Sequence, residues 1–291
     1  MMIYNMFGSH VKLQDTIAET MLEASLQGMK SIQIFLGSPY SLARRLVDKD
    51  DIKECCTLKD MNVFTHLPYV HNFAGIAKLN RVAYTGDPEV DLYVQRCAQS
   101  VMKELNVLDQ ISCSCKGCVL HVGSIGKNVS VDIGLQAISK TINSIDFSTS
   151  TTPLLLETMV QTGGVLGTSF EQLATIYEHI RNKQNIGFCI DTCHVHANGQ
   201  YNLSDESQVT KMFEDYDRFF PRDSLKLIHL NDSVEGFGSR KDRHANLKTG
   251  SIWKENDQSL KYLLQIAKQR DIPVVLETTE DDFKTLLPYM K

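Results

Sequence analysis

Eight short runs of β-branched and aliphatic residues recur along the whole chain, and longer stretches with helical periodicity lie between them. The alternation of strand-length and helix-length segments is typical of parallel βαβ units. The predicted strands are residues 6–11, 31–36, 63–67, 118–122, 154–158, 186–192, 225–230 and 274–278. The predicted helices include residues 15–27, 89–105, 132–144, 169–183, 206–220 and 259–270.

Closing eight parallel strands produces a (β/α)₈ barrel, whereas an open doubly wound sheet is the alternative arrangement. The open sheet usually carries a glycine-rich phosphate loop after its first strand. The glycine cluster Gly163, Gly164 and Gly167 does not have the GxGxxG spacing of such a loop. We therefore predict an α/β fold in which residues 1–291 form a single TIM barrel, with an active site at the C-terminal face of its strands.

Composition agrees with one large domain and gives expectations about compartment. The 291 residues are 42% hydrophobic, and no Pro/Gly/Ser-rich linker divides them. The N-terminus lacks the features of a signal peptide, so we expect an intracellular protein, in cytoplasm or nucleus, that is not secreted. The eight cysteines match no standard disulfide scaffold. Cys113, Cys115 and Cys118 leave two interpretations open: a metal or disulfide cluster, or free thiols, which we favour.

Ionisable residues follow the predicted strands at or just beyond their C-terminal ends. Each such residue alone is more often structural, but recurrence at six of eight strands indicates a shared site, because buried ionisable groups are costly unless paired or metal-bound. The candidates are His66, His121, Glu157, Asp191, His194, His229 and Glu277, followed by Asp242 and His244 after the seventh strand.

Imidazole and carboxylate ligands together suit zinc, with manganese or iron as possible substitutes. Nine candidate ligands exceed the needs of one tetrahedral ion, so two or more metals are indicated. Clustered metals are typical of phosphoryl displacement, which fits this ligand count better than chemistry at a sugar carbonyl.

Several motifs together resemble the endonuclease IV family of apurinic/apyrimidinic (AP) endonucleases, within the xylose isomerase-like TIM barrels. The resemblance extends over nearly the whole chain, and its three central blocks are specific in combination. Those blocks are residues 191–194 (DTCH), 229–232 (HLND) and 238–244 (GSRKDRH), with further matches at residues 8–11, His66, His121, Glu157 and 272–278.

The resemblance implies three zinc ions and a role for each candidate ligand. It places one zinc at His66, His121 and Glu157, a second at Glu157, Asp191, His229 and Glu277, and a third at His194, Asp242 and His244. It also implies hydrolysis of the phosphodiester 5′ to an abasic site, with Glu157 orienting the attacking hydroxide. The products would be a 3′-hydroxyl and a 5′-deoxyribose phosphate, and 3′-end trimming is expected as a second activity.

The resemblance further implies that a monomer binds double-stranded DNA containing abasic sites. We expect no association with a membrane. Tyr69 and Val70 match positions that wedge into the DNA beside the lesion. Tyr40 stands where relatives carry an arginine, so it can stack but cannot make the charged contacts. His10, Arg240 and Arg243 are the remaining predicted DNA contacts. The segment after Glu157 also departs from the family pattern.

The net charge of −5 is unusual for a protein that binds phosphates, but three divalent ions would bring it to about +1. Two other functions remain open. A divalent-metal sugar isomerase or epimerase uses similar ligands on the same barrel, although residues 238–244 argue against it. A catalytically silent binder of damaged DNA is expected to have lost a ligand, whereas all nine positions are filled.

Overall fold

Eight parallel strands close into a barrel in the order in which they occur along the chain, as a computed structural model covering residues 6–58, 60–111 and 115–290 shows. The predicted TIM barrel is therefore confirmed. The strands are β1 (Phe7–His10), β2 (Ser31–Ile34), β3 (Asn62–His66), β4 (Cys115–Leu120), β5 (Leu154–Glu157), β6 (Ile186–Asp191), β7 (Leu225–His229) and β8 (Val274–Leu276).

Helices cover the outside of the barrel, and the six predicted helices are all present with shifted ends. Three more were not predicted: α2 in the long β2–β3 connection, α6 immediately after β6, and the short α9 after β8. The helices are α1 (Ile17–Leu26), α2 (Lys49–Cys55), α3 (Pro88–Gln110), α4 (Val131–Ile142), α5 (Phe170–Glu178), α6 (Thr192–Ala197), α7 (Glu206–Phe219), α8 (Gln258–Gln269) and α9 (Phe283–Leu286).

Two helix boundaries lie where the sequence signals predict them. At the start of α5, the Ser169 hydroxyl accepts the backbone N–H of Gln172, while the Gln172 side chain accepts the N–H groups of Gly167 and Thr168. Helix α1 ends just before Gly28, whose φ of +88° favours glycine. Ser169 therefore caps the start of α5, and Gly28 lies just beyond the end of α1.

The barrel interior is filled by one buried side chain from each of six strands. Leu155 on β5 depends on two glycines in the neighbouring strands, because a Cβ at Gly117 or Gly187 would lie 2.6 or 2.7 Å from its side chain. The filled interior supports the strand ends above it. The residues of this layer are Phe64, Val119, Leu155, Cys189, Leu227 and Val275.

Two short hairpins extend the loops at the ends of the strands. The antiparallel pair Asp232–Ser233 and His244–Ala245 encloses a loop that carries Asp242, and a second pair joins Gly75–Ile76 to Arg81–Val82. Among the described helices, none is long and apolar enough to span a membrane.

The cysteine cluster is only partly described. Cys113 lies outside the described residues. Cys115 and Cys118 lie on β4 as buried thiols, and burial raises the pKa of Cys115 to about 12. This agrees with the thiol interpretation for these two residues.

Asp51 links α2 to α1 through two hydrogen bonds. Its carboxylate oxygens each lie 2.9 Å from a backbone nitrogen, one of Ile17 and one of Ala18, in the first turn of α1. Asp51 is 8% exposed, so its loss leaves donors that water cannot readily reach.

We expect Asp51→Ala to lower the free energy of unfolding by roughly 1–3 kcal/mol, because a buried acceptor of two N–H groups is removed. Urea denaturation measures this change. Asp50→Ala is the matched control in the same helix, since Asp50 is exposed and pairs only with Lys53 on the surface. Equal losses in the two variants would contradict the structural role of Asp51.

Candidate metal centre

The nine predicted ligands converge at the C-terminal mouth of the barrel, where they form overlapping clusters. The ligand atoms within each cluster lie within 4.8 Å of one another. Three clusters match the predicted sets, and a fourth grouping adds Cys193. The three are His66–His121–Glu157, Glu157–Asp191–His229–Glu277 and His194–Asp242–His244.

Glu157, at the end of β5, lies at the centre of this arrangement and has no exposed surface. Its Oε2 is 2.9 Å from His121 Nε2 and 3.4 Å from His66 Nε2, and its Oε1 is 3.0 Å from His229 Nδ1. Burial opposes the charged form, yet His121 and His229 hold the pKa of Glu157 well below its usual range. The two oxygens therefore serve two different clusters.

Two backbone carbonyls determine which nitrogen of each ligand histidine is available. His66 Nδ1 lies 2.7 Å from the carbonyl of Leu67, and His194 Nδ1 lies 2.6 Å from that of Thr158. Because a carbonyl only accepts, each Nδ1 carries the proton, and in the neutral ring Nε2 keeps its lone pair. This is the arrangement that outer hydrogen-bond partners impose on metal-binding histidines.

The buried Nε2 atoms of His66, His194 and His244 make no well-aligned hydrogen bond among the described residues and face carboxylate oxygens instead. His66 Nε2 lies 3.4 Å from Glu157 Oε2, and the Nε2 atoms of His194 and His244 lie 3.2 and 3.3 Å from Asp242 Oδ1. Buried nitrogens in such surroundings require an explanation, and a cation held between the groups supplies one. The donor set of imidazole and carboxylate fits a divalent transition metal such as zinc.

Gln33 on β2, which the sequence did not single out, connects three residues of the site. Its Oε1 accepts from His229 Nε2 at 2.8 Å, and its Nε2 lies 2.7 Å from Glu277 Oε1 and 3.0 Å from His10 Nδ1. The bond to His229 leaves Nδ1 facing the carboxylates of Glu157 and Glu277. Such a contact is stable only with a proton or a metal cation between the groups.

Asn231 orients two further carboxylates and was predicted only as part of a motif. Its amide nitrogen donates to Asp191 Oδ2 at 2.6 Å and to Glu277 Oε2 at 3.1 Å, and its oxygen accepts the N–H of Glu277. Neither Gln33 nor Asn231 is ionisable, and so a search for ligand residue types misses both. The Asn in the HLND block is the one signal for Asn231.

Aromatic rings lie between the ligand clusters and the rim of the barrel. Two loops carry them, which we call the Tyr40 loop (residues 35–48) and the Tyr69 loop (residues 67–74). The Tyr69 ring lies 5.5 Å from His66 and 5.4 Å from His121, and Tyr40 lies 6.2 Å from Tyr69. Tyr40 is 76% exposed and Tyr69 is 50% exposed. Tyr69, a predicted wedge residue, and Tyr40, a further predicted DNA contact, are therefore adjacent and accessible beside the clusters.

The other predicted DNA contacts differ in how exposed their side chains are. Val70 is half-buried, and its carbonyl accepts a hydrogen bond from Tyr93. His10 is half-buried against Phe35, and burial lowers its pKa to about 4, which keeps the ring neutral. Arg240 and Arg243 are exposed on the loop that presents Asp242. The side chains of Tyr40 and Tyr69 are thus more exposed at the mouth of the barrel than that of Val70.

Comparison of the sequence with known proteins identifies a family and curated relatives. The model of a family described as xylose isomerase-like TIM barrel matches residues 22–257. "Probable endonuclease 4" of Staphylococcus aureus (strain Newman) is 28% identical over 281 residues, which are 94% of this chain and 87% of that protein.

Solved structures share the fold. Endonuclease IV from Thermus thermophilus matches with a TM-score of 0.76 and 24% identity, over 98% of this chain and 97% of that one. A D-tagatose 3-epimerase-like protein matches with a TM-score of 0.68 and 17% identity, again over 98% and 97% of the two chains. These structures show the fold, whereas the family model and the 28% identical relative confirm the resemblance that the motifs indicated.

Gln33→Met keeps the volume of the side chain but removes its hydrogen bonds to His229, Glu277 and His10. We expect the affinity for a divalent metal to fall roughly 10- to 100-fold, because the ligands lose the group that orients them. Competition with a chromophoric chelator measures the affinity. Gln265→Met, at an exposed position of α8, is the matched control. Unchanged affinity in Gln33→Met would contradict the orienting role.

Proposed function

Because this chain belongs to the family of xylose isomerase-like TIM barrels, we propose that it is a zinc-dependent AP endonuclease of the endonuclease IV type. Its substrate would be duplex DNA with an abasic site, cleaved at the phosphodiester 5′ to the lesion. The products would carry a 3′-hydroxyl and a 5′-deoxyribose phosphate. Trimming of blocked 3′ ends at the same site belongs to the same proposal.

One observation carries the proposal: three ligand clusters meet around Glu157 and Asp191, with nine ligands in place. A single tetrahedral ion uses four ligands at most, so this set fits several ions, which suits phosphodiester hydrolysis. Each predicted set corresponds to one of the observed clusters. His66 and His121 would hold one zinc with Glu157, and the remaining residues would hold two more as the clusters group them.

Zinc ions bound there would supply Lewis-acid stabilisation of the phosphate oxygens and lower the pKa of water. The protein's own residues supply orientation. Glu157 is ionised, buried and shared between two clusters, so it can accept a hydrogen bond from the attacking water and align it with the phosphorus. Asn231 and Gln33 hold the carboxylates and His229 in place, which preorganises the mouth before substrate binds.

The rim provides the groups that a damaged duplex requires. Tyr69 and Tyr40 present adjacent aromatic faces beside the clusters, where they can fill the space left by a missing base. Arg240 and Arg243 are exposed on a neighbouring loop and can contact DNA phosphates. Conversion of a sugar by an isomerase or epimerase does not require exposed aromatic rings at the mouth. The rim therefore favours DNA as the substrate.

We expect the purified protein to incise a labelled duplex that carries one tetrahydrofuran abasic analogue, and a zinc chelator to abolish the cut. Gel electrophoresis against 3′-hydroxyl markers identifies the incised bond. An undamaged duplex of the same sequence is the control substrate. Absence of incision with any added metal, or incision that the chelator does not affect, would reject the proposal.

Elemental analysis of the active protein provides an independent measurement. The nine ligands predict three zinc ions per chain, because each observed cluster contributes three or four donor groups. Fewer than two zinc ions per chain in fully active protein would exclude the three-zinc arrangement while leaving the incision result intact.

A further inference from the structure

One face of helix α3 contacts both loops that carry the exposed tyrosines, although this helix lies outside the barrel and contributes no ligand. We propose that Tyr93, Ser100 and Glu104 are positioning residues that fix the Tyr40 loop and the Tyr69 loop relative to each other and so set the enzyme's affinity for the lesion. This inference rests on the proposed function. We refer to residues Tyr93, Cys97, Ser100 and Glu104 as the holding face of α3.

The first half of the holding face binds the Tyr69 loop. The Tyr93 hydroxyl donates to the carbonyl of Val70 at 2.5 Å. The backbone of Asn72 also lies close to the side chains of Tyr93 and Cys97. These contacts follow Tyr69 directly in the chain, so they restrict the backbone from which its ring projects.

The second half of the holding face binds the Tyr40 loop. The Ser100 hydroxyl donates to the carbonyl of Leu42 at 3.0 Å. Arg44 Nη1 lies 3.5 Å from Glu104 Oε2, and the side chains of this pair are 2% and 0% exposed. Burial raises the pKa of Glu104, and the Arg44 guanidinium opposes that rise, so each buried group depends on the other as its partner. The Tyr40 loop is therefore anchored at two points just beyond Tyr40.

Helical geometry explains why four residues can reach two loops. Positions 93, 97, 100 and 104 follow the spacing that places side chains on one face of a helix. Helix α3 has 23 residues, so this face is long enough to contact both loops in succession. The loops also contact each other directly, because the N–H of Tyr69 donates to the carbonyl of Pro39 at 2.9 Å. The placement of one tyrosine thus depends on that of the other.

The holding face lies apart from the ligand clusters, so changes in it should affect substrate binding and not catalysis. Tyr93 and Ser100 belong to none of the ligand clusters, and their partners are backbone carbonyls of the rim loops. Their loss should loosen the two rings without changing the metal centre. Recognition of the lesion, seen in KM, should weaken while kcat stays nearly constant.

Limited proteolysis tests the anchoring without reference to activity. In Ser100→Ala and Glu104→Gln, we expect trypsin to cut after Arg44 and Arg45 roughly 3- to 10-fold faster than in the zinc-loaded wild type. The first substitution removes a hydrogen bond to the loop, and the second removes the charge that pairs with Arg44. Cleavage after Arg181, remote in sequence on the exposed α5–β6 connection, should not change. Unchanged cleavage after Arg44 and Arg45 in both variants would overturn the anchoring.

Steady-state incision of the tetrahydrofuran duplex tests the consequence. We expect Tyr93→Phe and Ser100→Ala each to raise KM roughly 3- to 10-fold, with kcat within about twofold of wild type, as the loss of one hydrogen bond implies. Tyr262→Phe is the matched control, since its hydroxyl bonds to Thr210 between outer helices. A loss confined to kcat, or equal KM values in all variants, would overturn the inference.

A double-mutant cycle shows whether the holding face acts through Tyr40. On a Tyr40→Ala background, Ser100→Ala should raise KM no further, because the ring that it positions is gone. Full additivity of the two substitutions would overturn the positioning role. A wild-type protein that never incises the duplex would reject the proposed function, whereas the tryptic pattern would still report on the anchoring.

Discussion

An ionised carboxylate with no exposed surface, that of Glu157, lies where the strands of the barrel converge. Such a group is stable only if cations or strong donors surround it. Protons or bound cations shared with His66, His121 and His229 supply that environment, and each histidine comes from the end of a different strand. The mouth of the barrel is therefore organised around the requirement to compensate one buried charge.

The same requirement extends outward through groups that carry no charge. Gln33 binds the side of His229 that faces away from Glu157, and backbone carbonyls do the same for His66 and His194. Asn231 donates to one oxygen of Asp191 and one of Glu277 and so fixes both carboxylates. This leaves lone pairs and carboxylate oxygens directed at one another across short distances. Repulsion among them is relieved when divalent cations bind, so metal binding and the stability of the mouth are linked. A rigid site of this kind can act on a substrate without rearranging first.

Under the proposed function, recognition and chemistry would depend on different parts of the fold. The ligands project from strand ends that the filled interior supports, whereas Tyr40 and Tyr69 project from loops held by α3. Loops tolerate substitution more readily than strand ends. This agrees with the resemblance, in which Tyr40 stands in place of an arginine while all nine predicted ligand positions are filled. A change in lesion recognition need not alter the metal centre.

The barrel and its nine candidate ligands could both be predicted from the sequence. Residues such as His66 and Glu277 follow strand-length runs, and closure of the parallel strands brings all such strand ends to one face. Their convergence was therefore predictable. The sequence did not identify Gln33, an uncharged residue inside an apolar strand, or the relation between Tyr93 and Val70. Those contacts were decided only by the tertiary structure, because they join side chains to groups on other elements, and no local pattern along the chain encodes such a pairing.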